Sequence, residues 1–363
     1  MKKMGWFLCY LIGILLICGC STDQHQKRQA HFKEWIQNNG KVKVLSTTAM
    51  INDIVKQVGG EHVDTMTLIQ GELDPHSYQL VKGDDEKLAF AQIIFYSGLG
   101  LEHGPSLHHY LVKNPKALSL GDQIDRQNPG IVIDVRRQKD PHIWMDISLW
   151  ARTIPLIVES LSQQDPVHSA YYQANGQKLQ AEMEKVHQQV KEIMQQVPAD
   201  KRYLVTSHDA FNYFARAYLS ERGEIESGEW EKRFAAPEGL APESQLSSTD
   251  IKAIIEHLRR YQIHLLFPES NVSRDSIRKI VQAGKEQGLE VKIACCALYG
   301  DAMGQPGSEG DSYLKMILYN ARTLSGHMDP HVGEALGIQH QDQSKNSNQG
   351  DDKNAEDRKD ENK

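Results

Sequence analysis

The chain has 363 residues and a formal net charge of −7 at pH 7. This acidic balance argues against nucleic acid as a partner, because nucleic-acid binding requires a basic surface. Three of the five cysteines lie within the first twenty residues, so a disulfide framework is excluded. The remaining pair, Cys295 and Cys296, is expected to be either two buried thiols within a strand or a strained vicinal disulfide.

The N-terminal segment has the features of an export signal. Lys2 and Lys3 precede an apolar run over residues 7–17, which is too short to span a membrane. The run ends in Ile17-Cys18-Gly19-Cys20, which resembles the bacterial lipobox. We predict a lipoprotein signal peptide over 1–20, lipidation of Cys20 and an extracytoplasmic mature chain whose net charge falls to −9 on losing the two lysines. The alternative is an ordinary signal peptide or an uncleaved anchor, with Cys20 incidental.

Beyond a polar tether over 21–40, strand patterns alternate with helical patterns. A helical stripe from Met50 to Val58 lies between two short apolar segments, and a third apolar segment follows at 93–96. This alternation predicts a parallel sheet flanked by helices. We assign residues 41–167 to an N-terminal α/β lobe.

A long helical pattern divides the chain. Apolar residues recur at three- and four-residue steps from Leu179 to Val197, which predicts a connecting helix of about 25 to 30 residues over 168–198. The same strand–helix alternation then returns, predicting a C-terminal α/β lobe over 199–328. Residues 329–363 are assigned to a disordered polar tail, because the segment has too few apolar residues to offset the entropy of ordering.

The tripeptide Asp-Pro-His occurs three times. Each proline fixes its own φ and keeps the preceding aspartate out of helical geometry, so each histidine follows a stiff turn. Alone, such a histidine is most simply a loop residue. His76 and His142 follow predicted strands of the α/β core, whereas His331 lies at the end of the fold and is set aside.

Two further residues make these histidines into a candidate metal site. His208 follows a strand, and Asp311 precedes the last helix; a first-turn histidine and a capping aspartate are their simplest alternatives. Ligands of open α/β sheets bind beyond the carboxyl ends of strands. We predict that His76 and His142 from one lobe meet His208 and Asp311 from the other in the inter-lobe cleft. Three imidazoles and a carboxylate suit a divalent transition metal.

The span from about Val42 to Leu324 resembles the substrate-binding lipoproteins of zinc and manganese ABC importers, the cluster A-I binding proteins. The segments that carry the resemblance are Asp74-Pro75-His76, Phe95-Tyr96-Ser97-Gly98-Leu99-Gly100-Leu101-Glu102, Asp140-Pro141-His142-Ile143-Trp144, Thr206-Ser207-His208-Asp209-Ala210-Phe211-Asn212-Tyr213-Phe214 and Gly310-Asp311-Ser312-Tyr313. The resemblance implies two lobes on a rigid helix, the same four ligands, and a monomer that delivers metal to a permease powered by a cytoplasmic ATPase.

The sequence leaves alternatives open for the identity of the bound metal and for the function of the protein. Zinc-type members often carry a long His-rich loop, of which only His103, His108 and His109 are present here, whereas manganese-type members often have Glu where this chain has His208. Zinc, manganese and iron therefore remain possible cargo. A metal-binding adhesin or storage lipoprotein would use the same site. A secreted zinc hydrolase is disfavoured, because no His-Glu-x-x-His is present and four protein ligands would close the position that catalytic water needs. We expect no enzymatic activity.

Overall fold

The computed structural model describes residue 30, residues 32–242 and residues 246–337. The predicted signal peptide, with Cys20, and the tail from residue 338 onward lie outside these described residues. Among the helices in the described part of the chain, none combines the length and the apolar character needed to cross a bilayer.

The secondary structure alternates as the sequence indicates. The strands are β1 Val42–Ser46, β2 Val63–Thr67, β3 Ile93–Tyr96, β4 Ala117–Ser119, β5 Asp134–Val135, β6 Gln138–Lys139, β7 Leu204–Val205, β8 Phe234–Ala235, β9 Leu265–Leu266 and β10 Lys292–Ile293. The α-helices are α1 Ala49–Gly59, α2 Asp84–Phe90, α3 Pro105–Lys113, α4 Leu120–Gln127, α5 Ile147–Trp150, α6 Thr153–Gln164, α7 Ser169–Gln195, α8 Asn212–Phe214, α9 Arg222–Ser227, α10 Ser248–Arg260, α11 Asp275–Glu286, α12 Tyr313–Met328 and α13 Pro330–Ala335. Short 3₁₀ turns and one π-helical turn, Ala215–Leu219, complete the connections.

The chain divides into two compact units. The first contains the described residues up to Ile131 together with Ala151–Glu182. Its sheet has four parallel strands in the order β2-β1-β3-β4, with Val44 of β1 paired to Thr65 on one side and Ile93 on the other. All five residues of the central β1 are buried, as expected for a strand covered on both faces. The parallel α/β architecture predicted from the sequence is confirmed.

The first unit takes in part of the segment predicted to be a tether. Trp35 is 3% exposed and packs into the core that contains Leu45 and Ile94, while its indole Nε1 donates to the carbonyl of Asp64 at 3.1 Å. Phe32 and Ile36 pack against the same core. The tether prediction is therefore wrong for residues 32–36, because these apolar side chains stabilise the fold by leaving water.

The long helix is present as α7, a single helix of 27 residues. The boundary between the units falls inside it, between Glu182 and Met183. The helix therefore contributes its first half to one unit and its second half to the other.

The second unit contains Val132–Trp150 and the described residues from Met183 onward. Two short parallel pairs, β7 with β8 and β9 with β10, carry its α/β core, and the amide of Phe267 donates to the carbonyl of Val205 at 2.9 Å between them. An antiparallel hairpin of β5 and β6 lies just before the second Asp-Pro-His.

The boundary predicted for the N-terminal lobe, 41–167, differs from this division at residues 132–150. Trp144 donates from Nε1 to the carbonyl of Gly300 at 3.0 Å and accepts from Tyr313 Oη at its own carbonyl at 2.7 Å. The amide of Ile147 donates to Tyr218 Oη at 3.0 Å. These buried bonds tie the segment to the second unit, so the prediction that His142 belongs to the first lobe is wrong.

The end of the fold also differs from the prediction. Residues 330–335 form α13 instead of a disordered tail, because the Asp329 side chain accepts from the amide of His331 and Pro330 occupies the first turn. Val332 is 9% exposed, which anchors this short helix.

Candidate metal centre

The turn at Asp140-Pro141-His142 fixes both the backbone and the ring of its histidine. Asp140 Oδ1 accepts from the backbone amide of His142 at 2.9 Å and lies 2.7 Å from the ring Nδ1. Both side chains are fully buried. The carboxylate keeps the proton of a neutral imidazole on Nδ1, so the lone pair that a metal would use is on Nε2.

Asp140 is itself held on its other side. Asn212 Nδ2 donates to Asp140 Oδ2 at 3.0 Å, and Tyr213 Oη donates to the Asp140 carbonyl at 2.8 Å. Asn212 also donates to Asp209 Oδ1 at 2.7 Å. Burial, followed by the charge of Asp140, raises the pKa of Asp209 to about 6. The carboxylate that orients His142 therefore belongs to a buried hydrogen-bonded group.

His208 is held in the same manner by a residue that the sequence analysis did not identify. It follows β7, and Glu269 Oε1 accepts from the amides of Ser207 and His208 at 3.0 and 2.9 Å. The second oxygen of Glu269 lies 2.7 Å from His208 Nδ1. As at His142, a carboxylate on Nδ1 leaves Nε2 to face a ligand.

The two Nε2 atoms point at one carboxylate. Asp301 Oδ1 lies 3.4 Å from His142 Nε2, and Asp301 Oδ2 lies 3.1 Å from His208 Nε2. One ligand atom from each of the three residues lies within 4.8 Å of the others, and Asp301 is 3% exposed. Two imidazoles and a carboxylate with their outer nitrogens already oriented form a donor set that suits a transition-metal ion.

Asp311, the predicted carboxylate ligand, does not join this group. Its Oδ1 pairs with Lys315 Nζ at 2.8 Å, and its Oδ2 accepts from the amide of Gly307 at 2.9 Å. The hydrogen bond from Lys315 is the main reason that the pKa of Asp311 is below its usual value. The structure therefore corrects the ligand prediction: Asp301 lies beside His142 and His208, and Asp311 closes an exposed loop.

The dipeptide Gly-Asp explains the error, because it occurs at Gly300-Asp301 and again at Gly310-Asp311. The sequence offers one difference between them, since Asp301 follows the β10 segment whereas Asp311 precedes a helix, but the choice rests on packing. Two contacts place the first copy at the site. Trp144 Nε1 binds the Gly300 carbonyl, and a Cβ on Gly300 would come within 2.5 Å of Glu269 Oε2. A side chain larger than hydrogen would displace the carboxylate that holds His208.

The charge state of His208 depends on these carboxylates. Burial alone lowers its pKa, but the negative charges of Glu269 and Asp301 outweigh burial and hold the pKa of His208 well above its ordinary value. In the metal-free protein the imidazolium balances the buried carboxylates. A metal ion at Nε2 would displace that proton.

His76 lies in the first unit on the same kind of turn. Asp74 Oδ1 accepts from its backbone amide at 2.9 Å, and the side chain is 1% exposed. The ring centroid of His103 lies 5.6 Å away, with His103 Nδ1 at 3.1 Å from the carbonyl of Gly100. His103, His108 and His109 are exposed.

Sequence comparison finds related proteins over most of the chain. Residues 44–326 match the family described as ZnuA, zinc-uptake complex component A, periplasmic. The chain is 37% identical over 319 residues to metal-binding protein YtgA of Chlamydia pneumoniae, covering 88% of this chain and 92% of that protein. It is 28% identical over 324 residues to manganese-binding lipoprotein MntA of Bacillus subtilis, covering 89% and 98%.

Solved structures give the same answer for the fold. The crystal structure of Fe(III)-bound YtgA from Chlamydia trachomatis has a TM-score of 0.75 at 36% identity and covers 80% of this chain and 98% of its own. The periplasmic zinc-binding protein TroA from Treponema pallidum has a TM-score of 0.71 at 27% identity, covering 80% and 99%. The family match spans most of the chain. The chain therefore belongs to the ZnuA family of metal-binding, substrate-binding proteins.

Proposed function

We propose that the chain is an extracytoplasmic lipoprotein that captures a transition-metal ion and delivers it to an ABC permease driven by a cytoplasmic ATPase. The observation that carries the proposal is the pair of buried imidazoles, each held at Nδ1 by a carboxylate and each directing Nε2 at Asp301. Such a site binds an ion tightly without offering it to a second reactant, which suits capture and transfer.

His76 is proposed as the fourth ligand. Three features support it: the side chain is buried, Asp74 fixes its backbone as Asp140 fixes that of His142, and the turn follows the β2 segment. With His142, His208 and Asp301 it gives three nitrogens and one oxygen. Four protein ligands would leave no position for a catalytic water, which favours binding over hydrolysis.

The proposed cargo is zinc, manganese or iron. Imidazole suits zinc and iron, whereas carboxylate oxygen suits manganese, so this donor set accepts all three. The relatives differ in the same way: the solved YtgA holds Fe(III), TroA is named for zinc, and MntA is named for manganese. The order of metal affinities in vitro depends more on the identity of the metal ion than on the site. The decisive measurement is therefore the metal content of cells grown under limitation of each metal.

The anchor is proposed to be a lipid on Cys20. The lipobox-like sequence supports it, and MntA, a relative that matches over most of its length, is named as a lipoprotein. A Cys20→Ala form that still partitions into the membrane fraction would contradict the anchor. We propose that the protein acts as a monomer, so its apparent mass in size-exclusion chromatography should be that of one chain.

The binding test uses a matched pair of aspartates. Protein beginning at Ser21 should bind one Mn²⁺ ion at the buried site, measured by competition with a chromophoric chelator. We expect Asp301→Ala to weaken binding by more than the roughly 10–100-fold that outer ligand partners contribute. Asp311→Ala, which removes only the contacts to Lys315 and Gly307, should bind like the parent. Equal losses in the two variants would contradict the site.

Transport is tested separately from binding. A strain lacking the chain should accumulate less of the cargo metal than its parent under limitation, and expression of the parent chain should restore uptake. Expression of the Asp301→Ala variant should not. Normal accumulation without the chain would favour storage or adhesion over import.

A further inference from the structure

A second group of side chains that could hold a metal ion lies in the second unit, separate from the buried cluster of His142, His208 and Asp301. Cys295 and Cys296 follow β10, and His327 lies in the last turn of α12. Cys295 is exposed, and Cys296 and His327 are partly exposed. The expectation of two buried thiols within a strand is therefore wrong, because the strand ends at Ile293 and the chain brings both thiols toward the surface.

The two cysteines are free thiols. Their Sγ atoms are 3.3 Å apart, well beyond the roughly 2.05 Å of a disulfide. Cys295 Sγ lies 3.6 Å from His327 Nε2. In a tetrahedral zinc site with ordinary Zn–S and Zn–N bonds, neighbouring ligand atoms lie about 3.6 to 3.8 Å apart. The three side chains are thus already close to the separations that one shared ion imposes.

The imidazole is oriented for this role. His327 Nδ1 lies 2.8 Å from the carbonyl of Thr323, one turn earlier in the helix. Donation to that carbonyl places the proton on Nδ1 and the lone pair on Nε2, the nitrogen that faces Cys295. The ring of Phe267 packs edge-on at 5.7 Å and supports the plane of the imidazole. The C-terminus of a 16-residue helix also presents negative partial charge to a cation.

We propose that Cys295, Cys296 and His327 form a second, surface site that binds a soft transition-metal ion such as Zn²⁺. On binding, each thiol loses its proton to solvent, two sulfur–metal bonds and one nitrogen–metal bond form, and the fourth position stays with water. Thiolate donors select zinc over manganese. The site therefore differs in both accessibility and preference from the buried imidazole–carboxylate cluster.

The test uses Co²⁺ as a spectroscopic substitute for zinc. Protein beginning at Ser21 contains no other cysteine, so thiolate-to-cobalt absorption in the near ultraviolet reports this site alone. We expect reduced protein under anaerobic conditions to develop that absorption with Co²⁺ and to lose it when Zn²⁺ is added. The Asp301→Ala variant should keep the signal, which separates this site from the buried one.

Variants locate the ligands. Cys295→Ser and Cys296→Ser should each lose most of the thiolate absorption, and His327→Gln should weaken Co²⁺ binding at least tenfold. His264→Ala is the matched control, because His264 lies in the same unit and its Nδ1 is 3.1 Å from the Glu290 carbonyl. Circular dichroism checks that each variant is folded.

A second readout does not depend on the substitutions. Saturating Zn²⁺ should slow alkylation of both thiols at least tenfold in the parent protein. No thiolate absorption in the reduced parent, an unchanged affinity in His327→Gln, or alkylation unaffected by Zn²⁺ would each overturn the proposal.

Discussion

The tripeptide Asp-Pro-His occurs twice in the second unit, and its two copies form similar turns but have different surroundings. In Asp140-Pro141-His142 the first aspartate accepts from the histidine amide at 2.9 Å, and in Asp329-Pro330-His331 the corresponding distance is 3.0 Å. The first copy is buried and its ring lies beside His208 and Asp301. The second copy begins α13, and its histidine is exposed.

The difference teaches that the tripeptide encodes a turn and nothing more. Aspartate, proline and histidine fix the local backbone in both places, because the carboxylate satisfies an amide that the turn leaves without a helical partner. The chemistry of the ring comes from its neighbours. His142 has a carboxylate on each side, at Asp140 and Asp301, whereas the Asp329 carboxylate pairs with Lys201 Nζ at 2.9 Å.

The largest effect should separate the two histidines. We expect His142→Ala to weaken Mn²⁺ binding by more than about 100-fold, since it removes a proposed ligand and not only an outer partner. His331→Ala should bind like the parent protein. Competition with a chromophoric chelator measures both, and similar affinities for the two variants would remove the distinction between the copies.

The next largest effect is the pH dependence that comes from the raised pKa of His208. The pKa of His208 is raised in the folded protein, so the stabilisation from its protonated form is complete below the unfolded value and is lost as pH rises through the folded value. Metal-free protein should therefore lose stability on that rise, measured by thermal melting. Metal affinity should move the opposite way, increasing by about tenfold per pH unit while one proton is displaced per ion bound.

Glu269→Gln tests the cause of that pH dependence, because it removes the negative charge nearest to His208 Nδ1. The pH at which affinity levels off should fall in this variant. The Asp329→Asn variant changes a carboxylate outside the cluster and should leave the profile in place. A profile that does not respond to Glu269→Gln would show that another group titrates.

A smaller loss is expected at the aspartates of the two turns. Asn retains an oxygen for the histidine amide but has no negative charge for the ring, so Asp140→Asn should weaken metal binding by about 10–100-fold. Asp329→Asn should have no effect on metal binding. Equal affinities in these two variants would mean that the Asp140 charge does not support His142.

The smallest effect concerns stability alone. Asp329→Ala removes the cap of α13 and should lower the free energy of unfolding by about 1 kcal/mol. Asp329→Asn should keep most of that free energy, because its side-chain oxygen still accepts from the amide of His331. Urea unfolding measures both free energies. A loss in the Asn variant as large as that in the Ala variant would point to the Lys201 pair instead of the cap.

The sequence by itself determined the elements and three of the proposed ligands. Alternating apolar segments gave the parallel sheet of the first unit, and the apolar periodicity from Leu179 to Val197 gave the 27-residue α7. Strand ends next to His142 and His208 indicated where metal-binding side chains would lie. These signals are local, because strand and helix periods repeat every few residues.

Only the tertiary structure decided between the two Gly-Asp pairs and revealed the outer carboxylate. Asp301 and Asp311 are ten residues apart in one loop, and the choice depends on the bond from Trp144 to Gly300, which joins residues 156 positions apart. Glu269 reaches His208 across 61 residues. A partner as distant in sequence as Glu269 leaves no local pattern. Residue type and spacing can therefore propose ligands, whereas packing decides which carboxylate meets them.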